Sequence, residues 1–150
     1  AMGAPQFMPS SYRRYAVDGD GDGRRDLFGS CDDVIASVAN YFREHGWQPD
    51  GPVLIEARFA PGSTLALEPG NLSLTDTLDS ARARGVEFES SLPGDTPVIL
   101  IPAETEYGPG VRIGFANFTT ITRYNRSVRY AMAVHDLAQA LAARVYEPGA

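Results

Sequence analysis

The stretch Asp18-Gly19-Asp20-Gly21-Asp22-Gly23-Arg24-Arg25-Asp26 places three carboxylates at alternate positions among three glycines, followed by a fourth at Asp26. Its first six residues match D-x-[DN]-x-[DN]-G, the first half of a calcium-binding loop. Calcium takes about six to eight oxygen ligands, and alternate side chains of a tight loop can converge on one ion. Without a cation these acids would repel one another. The stretch therefore predicts a structural calcium site with Asp18, Asp20 and Asp22 as side-chain ligands.

The second half of the loop departs from the EF-hand pattern, because Gly29 occupies the place of the bidentate glutamate. The next acids are Asp32 and Asp33, at the start of an apolar helical run. We expect a lengthened EF-hand-like loop that Asp33 closes, with Asp32 as the alternative. The backbone carbonyl of Arg24 is a further predicted ligand, and Asp26 another, directly or through water. The alternative interpretation is a solvated Asp/Gly turn.

Composition places the chain among ordinary soluble globular proteins and disfavours a nucleic-acid partner. It has 150 residues, of which 43% are hydrophobic and 21% charged, and a net charge of −6. All basic side chains are arginine, and no basic run exceeds two residues. No stretch approaches the roughly 20 apolar residues of a transmembrane helix, so no membrane span is predicted.

The single cysteine, Cys31, excludes an intrachain disulfide and a thiolate metal cluster. A catalytic cysteine needs a neighbouring base, and the only histidines are His45 and His135. The adjacent acidic loop also disfavours a thiolate. We therefore expect no catalytic cysteine.

Helical signals lie on both sides of the acidic loop. Pro9 suits the first turn of a short helix, where its missing N–H is not needed. Apolar residues at helical spacing predict a longer helix from Asp33 to His45, with acids at its positive end and Gly46 as its stop.

The middle of the chain changes to strand patterns. Three stretches rich in β-branched and apolar residues predict strands: Val53–Phe59, Thr96–Ile101 and Val111–Phe115. The last two are expected to form a hairpin with a turn at Gly108-Pro109-Gly110. Between the first two strands, a capping-box pattern starting at Ser73 predicts a helix from Ser73 to Arg84, which Gly85 closes.

A final helix is predicted from Ser127 to about Val145, with Pro148 and Gly149 beyond it. The expected fold is therefore α+β and mainly helical. Helical core segments at residues 1–49 and 116–150 flank a small α+β insert at residues 50–115.

Three stretches together resemble one protein family. Residues 1–11, AMGAPQFMPSS, resemble its G-A-M-G-x-x-Q-F-M-P-S-S element. Residues 15–47 resemble its EF-hand-like loop and following helix, and residues 117–134, which include Arg123-Tyr124-Asn125, resemble its third motif. The family is the membrane-bound lytic murein transglycosylase B family. The middle of the chain matches in length and pattern only.

The resemblance implies a lysozyme-like helical core with a cleft for peptidoglycan glycan strands. It implies cleavage of the β-1,4 bond between N-acetylmuramic acid and N-acetylglucosamine, with a 1,6-anhydro product. One carboxyl group acts first as acid and then as base, because the C6 hydroxyl of the sugar replaces water. A second carboxylate is not required.

The resemblance also implies the substrate-binding residues. Gln6 and the Tyr124-Asn125 pair match cleft positions, and Met8 and Tyr130 are weaker candidates. The alternatives are that Gln6 bonds a helix terminus and that Asn125 or Ser127 caps the final helix.

No glutamate in this chain matches the family's catalytic glutamate. We expect that residue on a segment upstream of Ala1, which would also be a partner of this chain. The alternative function is a non-catalytic glycan-binding module with a structural calcium site. A calcium sensor is less consistent with one irregular loop. The expected location is periplasmic, with an upstream lipoprotein anchor as an open alternative.

Overall fold

The computed structural model describes residues 1–146 of the chain. Pro148 and Gly149, predicted to follow the final helix, lie outside the described residues. The chain divides into two compact units, Ala1–Gln48 and Pro49–Ala150. The division lies next to the boundary expected after residue 49. That residues 116–150 share a core with residues 1–49 stays a prediction.

The first unit contains two helices, α1 (Pro9–Tyr15) and α2 (Cys31–Glu44). Pro9 opens α1, as predicted. Helix α2 begins two residues before the predicted Asp33, because Ser30 caps it and accepts a hydrogen bond from the Asp33 N–H. Gly46 follows with a φ of +91°, which confirms it as the stop.

The residues before α1 form a tight loop that packs on the acidic-loop side of the unit. Met2 and Phe7 exchange backbone hydrogen bonds, and the Ala4 N–H donates to the carbonyl of Leu27. Gly3 has a φ of +62°, and a Cβ there would collide with that same Leu27 carbonyl. Only glycine meets both conditions, which explains its place in the opening motif.

Aromatic side chains form much of the first unit's interior. The buried Phe7 ring lies 5.9 Å from Tyr41, and Tyr15 meets Tyr41 edge-on at 5.0 Å. Tyr41 also stacks on His45 at 4.0 Å. Because the loop before α1, α1 and α2 each supply a ring, this contact fixes their relative positions.

The second unit is built on a five-stranded antiparallel sheet in the order β2-β4-β5-β1-β3. The strands are β1 (Leu54–Phe59), β2 (Asp76–Thr77), β3 (Val86–Glu87), β4 (Pro97–Thr105) and β5 (Gly108–Gly114). The predicted hairpin between the last two long strands is confirmed, with a register from Ile99 opposite Gly114 to Thr105 opposite Gly108.

Both faces of this sheet are covered near β4. On one face, Leu78 and Ala81 of helix α3 (Leu78–Ala83) join a core cluster with Val98 and Leu100. On the other face, Ile99, Ile101 and Phe118 converge on Gly114. The continuous apolar run of β4 follows from this double burial.

Two predicted elements have different limits from those expected. Helix α3 starts at Leu78, not Ser73, and its capping box uses Thr77 and Ser80. Asp76 and Thr77 are instead strand residues opposite Val98 and Pro97, so their backbone groups pair in the sheet and are not helical. The Ser73 pattern was therefore a wrong helix start.

The hairpin turn is also displaced from the predicted Gly108-Pro109-Gly110. The chain reverses at Glu106 and Tyr107, and Gly108 already pairs with Thr105. The φ of Gly108, +113°, supplies the left-handed residue that ends the turn. Strand β4 consequently ends four residues later than expected, at Thr105.

Two helices follow the sheet, α4 (Ala116–Tyr124) and α5 (Val128–Tyr146). Helix α4 was not predicted. The apolar stripe expected on α5 is present but largely exposed, with Leu137 at 61% and Leu141 at 55%. Helices account for 38% of the described residues and strands for 19%, so the fold is α+β and the expected predominance of helix is not supported. Among residues 1–146, no helix has the length and apolar character needed to cross a membrane.

Candidate functional site

The acidic loop brings three predicted ligands together. One carboxylate oxygen from each of Asp18, Asp20 and Asp22 lies within 4.8 Å of the others, and all three residues are exposed. The loop is folded by its own backbone: the Gly21 N–H donates to Asp18 Oδ1 at 2.6 Å and the Gly23 N–H donates to Asp18 Oδ2 at 2.8 Å. These bonds order the carboxylates in a tight turn.

Ser30 joins this loop to helix α2. Its hydroxyl donates to Asp20 Oδ2 at 2.8 Å and accepts from the Asp33 N–H as the helix cap. The sequence analysis did not assign Ser30, although a serine three residues before an acid at a helix start was the available signal. The cap thus also holds one carboxylate of the acidic group.

The predicted closing ligand, Asp33, is not brought into the acidic group. It is fully buried, and its two oxygens accept from the Gly19 N–H at 2.7 Å and the Asp26 N–H at 2.6 Å. The hydrogen bonds from Asp26 and Gly19 lower the pKa of Asp33 against the opposing effect of burial. In the structure Asp33 therefore clamps both ends of the loop to α2.

The other predicted ligands occupy the same loop. The Arg24 N–H donates to Asp22 Oδ1 at 2.8 Å, which leaves the Arg24 carbonyl as a predicted ligand. Asp32, the alternative closing residue, is exposed in the first turn of α2. The exposed, hard oxygen donors of the acidic group fit calcium better than a transition metal, since none is nitrogen or sulfur.

Gln6 and Met8 lie in the loop that precedes α1 and at its start. Gln6 adopts a φ of +55°, which is uncommon for a non-glycine residue. Its side-chain Nε2 and backbone N–H both donate to the Gly3 carbonyl, at 2.8 and 3.1 Å. Gln6 therefore stabilises a turn rather than a helix terminus. The residue is exposed, and Met8 is 59% exposed.

Tyr124, Asn125 and Tyr130 lie around the corner between α4 and α5. Tyr124 is the last residue of α4, and Asn125 follows in an extended conformation. The Ser127 hydroxyl accepts from the Tyr130 N–H at 3.2 Å, so Ser127 caps α5. Within residues 1–146 the Asn125 side chain makes no hydrogen bond, and the residue is exposed. The capping alternative thus applies to Ser127.

An ion-pair cluster that the sequence analysis missed ties α5 to the sheet. Arg112 of β5 is only 13% exposed and holds Asp136 of α5 through two bonds, at 2.9 and 3.2 Å. Its Nε lies 3.1 Å from Glu56 of β1, at an angle too poor for a hydrogen bond. Hydrogen bonds from Arg112 lower the pKa of Asp136. No local pattern could show that residues so distant in sequence meet.

Comparison with known proteins identifies the family of this chain. Residues 1–139 match the Transglycosylase SLT domain family. The chain belongs to this family. It is 42% identical over 143 residues to membrane-bound lytic murein transglycosylase B of Escherichia coli strain K12, a match that covers 95% of this chain and 38% of the relative.

Solved transglycosylase structures share the fold. Soluble lytic transglycosylase SltB1 of Pseudomonas aeruginosa superposes with a TM-score of 0.82 at 42% identity, over 99% of this chain and 48% of that one. The Escherichia coli lytic transglycosylase Slt35 in complex with calcium gives a TM-score of 0.81 at 42% identity, over 97% of this chain and 45% of that one.

A further relative was solved with a glycopeptide. Pseudomonas aeruginosa SltB3 in complex with NAG-anhNAM-pentapeptide gives a TM-score of 0.71 at 35% identity, over 89% of this chain and 36% of that one. The chain therefore spans less than half the length of each of these relatives. The family resemblance of the sequence is confirmed.

Proposed function

We propose that this chain is the glycan-binding part of a peptidoglycan lytic transglycosylase. The reaction cleaves the β-1,4 bond between N-acetylmuramic acid and N-acetylglucosamine and forms 1,6-anhydro-N-acetylmuramic acid. The observation that carries the proposal is the family match over residues 1–139, within which the motif residues Gln6 and Asn125 are exposed.

The chemistry assigns these residues a binding role. The Gln6 Nε2 is used by the Gly3 carbonyl, so its side-chain oxygen is the group offered to an acetamido N–H or a sugar hydroxyl. Asn125 offers both an amide donor and an amide acceptor. Tyr124 contributes a hydroxyl beside it, and Met8 and Tyr130 provide apolar surface for sugar rings. None of these groups moves a proton in the reaction.

The general acid and base is proposed to be a glutamate outside these 150 residues. It protonates the leaving oxygen and then accepts the proton of the C6 hydroxyl as that oxygen attacks C1. Three glutamates of this chain lie within ion-pair distance of an arginine: Glu44 of Arg43, Glu56 of Arg112 and Glu87 of Arg58. No glutamate here matches the catalytic motif.

Reconstitution tests this function. The chain is mixed, or co-expressed, with the region of the Escherichia coli relative that precedes the matched part, and purified peptidoglycan is digested. We expect anhydro-muropeptides from the mixture and none from either part, because the two parts supply different groups. A Gln6→Ala mixture should be slower, and Arg14→Ala serves as an exposed control.

Two outcomes would contradict the proposal. Products with reducing ends would identify a hydrolase, in which water takes the place of the C6 hydroxyl. Glycan binding by the chain together with no activity in any mixture would favour the alternative, a non-catalytic glycan-binding module. Because the substrate is cell-wall glycan, we further propose an extracytoplasmic location, which fractionation of expressing cells would test.

Calcium is proposed as a structural ion of the acidic loop. The support is the convergence of Asp18, Asp20 and Asp22, together with the calcium complex of the Slt35 relative. The ion would neutralise three exposed carboxylates and cross-link the loop. Calorimetry with calcium and with chelator tests this, and equal melting temperatures would rule it out.

A further inference from the structure

Gln6 holds a backbone conformation that a glutamine does not favour by itself. Its φ of +55° lies in the left-handed region, which a residue with a Cβ keeps only where its surroundings enforce it. Two hydrogen bonds enforce it here, because the Gln6 N–H and Nε2 both donate to the Gly3 carbonyl, at 3.1 and 2.8 Å. The direction of the Gln6 side-chain oxygen is therefore set by the position of Gly3.

Gly3 is held in turn by Leu27, the residue that follows the acidic loop. The Ala4 N–H donates to the Leu27 carbonyl at 3.2 Å, and Gly3 lies so close to that carbonyl that a Cβ on it would collide. Leu27 is only 1% exposed, so its side chain anchors this contact in the interior. The turn that carries Gln6 therefore rests on Leu27.

Leu27 is placed by bonds to the two residues before it. The buried Asp33 carboxylate, in the first turn of α2, accepts the Asp26 N–H at 2.6 Å. On the side of α1, the Tyr12 hydroxyl donates to the Arg25 carbonyl at 3.0 Å. The segment that leads into Leu27 is thus bonded to both helices.

We propose that Asp33 and Leu27 are positioning residues for Gln6. Asp26 links the first of these residues to the second, and Gly3 links the second to the third. The proposal rests on the proposed function, in which the Gln6 oxygen accepts from an acetamido N–H or a hydroxyl of the glycan. Because this path does not include the three clustered carboxylates of the acidic loop, Gln6 is held in place with or without calcium.

Glycan affinity depends on this path because a hydrogen bond weakens steeply when its angle falls below about 120°. Without the Asp33 clamp, Asp26 and Leu27 lose a fixed position, and the turn above them loses its support. Gln6 then relaxes towards the right-handed conformations that its Cβ favours, which turns its side-chain oxygen away from the glycan. The expected result is a weaker glycan complex and a changed environment of the Gln6 side-chain amide.

NMR spectroscopy of the whole chain tests the path. The probe is a soluble tetrasaccharide of alternating N-acetylglucosamine and N-acetylmuramic acid. The signals followed are those of the Gln6 side-chain amide, assigned by their loss in Gln6→Ala. In Asp33→Asn we expect these signals to move towards those of a free glutamine side chain. The dissociation constant of the tetrasaccharide should rise roughly three- to tenfold, which corresponds to one net hydrogen bond. Unchanged Gln6 signals in folded Asp33→Asn would overturn the proposal.

Two control variants separate positioning from stability. Ser37→Ala removes an equally buried polar group of α2, whose hydroxyl bonds the backbone of Val17 outside the path. It should lower the melting temperature and leave the Gln6 signals in place. Asp22→Asn removes a carboxylate of the acidic loop and should also leave them in place. If Ser37→Ala moved the Gln6 signals as far as Asp33→Asn does, they would follow stability alone and the proposal would be wrong.

A backbone change tests the link between Leu27 and the turn without altering any side chain. Ligation at Cys31, the single cysteine, joins a synthetic segment of residues 1–30 to the rest of the chain. In this segment an ester oxygen replaces the Ala4 N–H. The ester removes only the donor to the Leu27 carbonyl, so it decides the question even where Asp33→Asn fails to fold.

With this ester we expect the Gln6 signals to move and the affinity for the tetrasaccharide to fall. The control is the same replacement at Ser10, in the first turn of α1, where N–H groups have no partner within the helix. It should change neither. Unmoved Gln6 signals with the Ala4 ester would refute the proposal. Equal binding of the tetrasaccharide by Gln6→Ala and by the unchanged chain would instead contradict the proposed function, and the Gln6 signals would still decide the positioning.

Discussion

At the scale of single residues, Asp33 shows how one buried carboxylate organises the acidic loop without belonging to the group formed by Asp18, Asp20 and Asp22. Both oxygens accept backbone N–H groups, one from Gly19 before the loop's turn and one from Asp26 after it. These bonds exist only for the folded, ionised side chain. Asp33 is therefore expected to stabilise the loop whether or not calcium is bound.

The first prediction is that Asp33→Asn lowers the melting temperature both with calcium and with chelator. An amide cannot accept both N–H bonds with its two terminal atoms, so one backbone donor loses its partner. The control Asp22→Asn keeps the clamp and should lower the melting temperature only when calcium is present. Loss of stability in calcium alone for both variants would show instead that Asp33 acts as a ligand.

The same residue predicts a pH dependence. Because the folded pKa of Asp33 lies below its ordinary value of 3.8, the ionised form stabilises the fold above about pH 3.8. That contribution is lost as the pH falls through the lower folded pKa. In Asp33→Asn the free energy of unfolding should fall less steeply with decreasing pH below 3.8 than in the unchanged protein. Equal slopes for the two proteins in that range would contradict the prediction.

The next residue-scale prediction separates binding from capping at the corner between α4 and α5. Asn125→Ala should weaken binding of a soluble glycan fragment several-fold and leave stability unchanged, because its amide bonds nothing else within the described residues. Ser127→Ala should cost about 1 kcal/mol of stability, since it removes the cap of α5. Titration followed by NMR and urea unfolding measure the two effects. The reverse pattern would assign the cap to Asn125.

At the scale of elements, helix α5 depends on a polar connection more than on its apolar stripe. Only Ala131 of this helix is buried, while Leu137 and Leu141 are exposed. Arg112 of β5 instead donates two hydrogen bonds to the Asp136 carboxylate in a bidentate arrangement. Guanidinium geometry matters here, because a lysine ammonium cannot make that fork.

We predict that Asp136→Asn lowers stability by about 1 kcal/mol and increases amide exchange in α5. Arg112→Lys should give a similar loss, because it keeps the charge and removes the fork. Glu56→Gln is the control: Glu56 is 82% exposed and lies poorly aligned with Arg112, so a smaller change is expected. A loss of stability in Asp136→Asn with none in Arg112→Lys would mean that charge alone holds the helix.

Helix α4 shows why an element can escape sequence analysis. Its sequence, Ala116–Tyr124, contains Thr119, Thr120 and Thr122, and threonine favours strands. In the structure the threonine hydroxyls donate to helix carbonyls, such as Thr119 to Ala116 at 2.7 Å. Phe118 meanwhile packs beside Ile99 and Ile101 of the sheet. Tertiary burial therefore overrides local propensity.

At the scale of the whole molecule, the chain divides into two compact units, which are expected to respond separately to calcium. Chelation should speed amide exchange in residues 1–48, above all in the loop and the first turn of α2. The sheet residues of the second unit should be unaffected, because all the predicted ligands lie in the first unit. Exchange measured by mass spectrometry with and without calcium tests this.

Asp20→Asn combined with Asp22→Asn provides the control, since it removes two carboxylates from the acidic group. In this variant chelator should have no further effect on exchange in either unit. Faster exchange throughout the sheet upon chelation would show that the ion stabilises the chain as a whole and that the units are not independent in solution.

The sequence by itself determined the features that depend on neighbouring residues. The alternating acids of the loop, the helix stop at Gly46, the β4–β5 hairpin and the family motifs were all readable, because each is a short-range pattern of residue chemistry. Helices α1, α2 and α5 followed from local proline, capping and apolar spacing.

Only the tertiary structure decided the rest. Helix α3 starts at Leu78 and not at Ser73, because Asp76 and Thr77 pair with β4 as strand residues. In the folded chain the Asp33 carboxylate accepts backbone N–H groups of its loop, and Ser127 caps α5. Arg112 bonds to Asp136, which lies 24 residues away in the sequence. The physical reason is common to all of these. A buried or paired polar group bonds to the partner that the fold brings close to it, and a local sequence pattern does not show which distant residues become close in space.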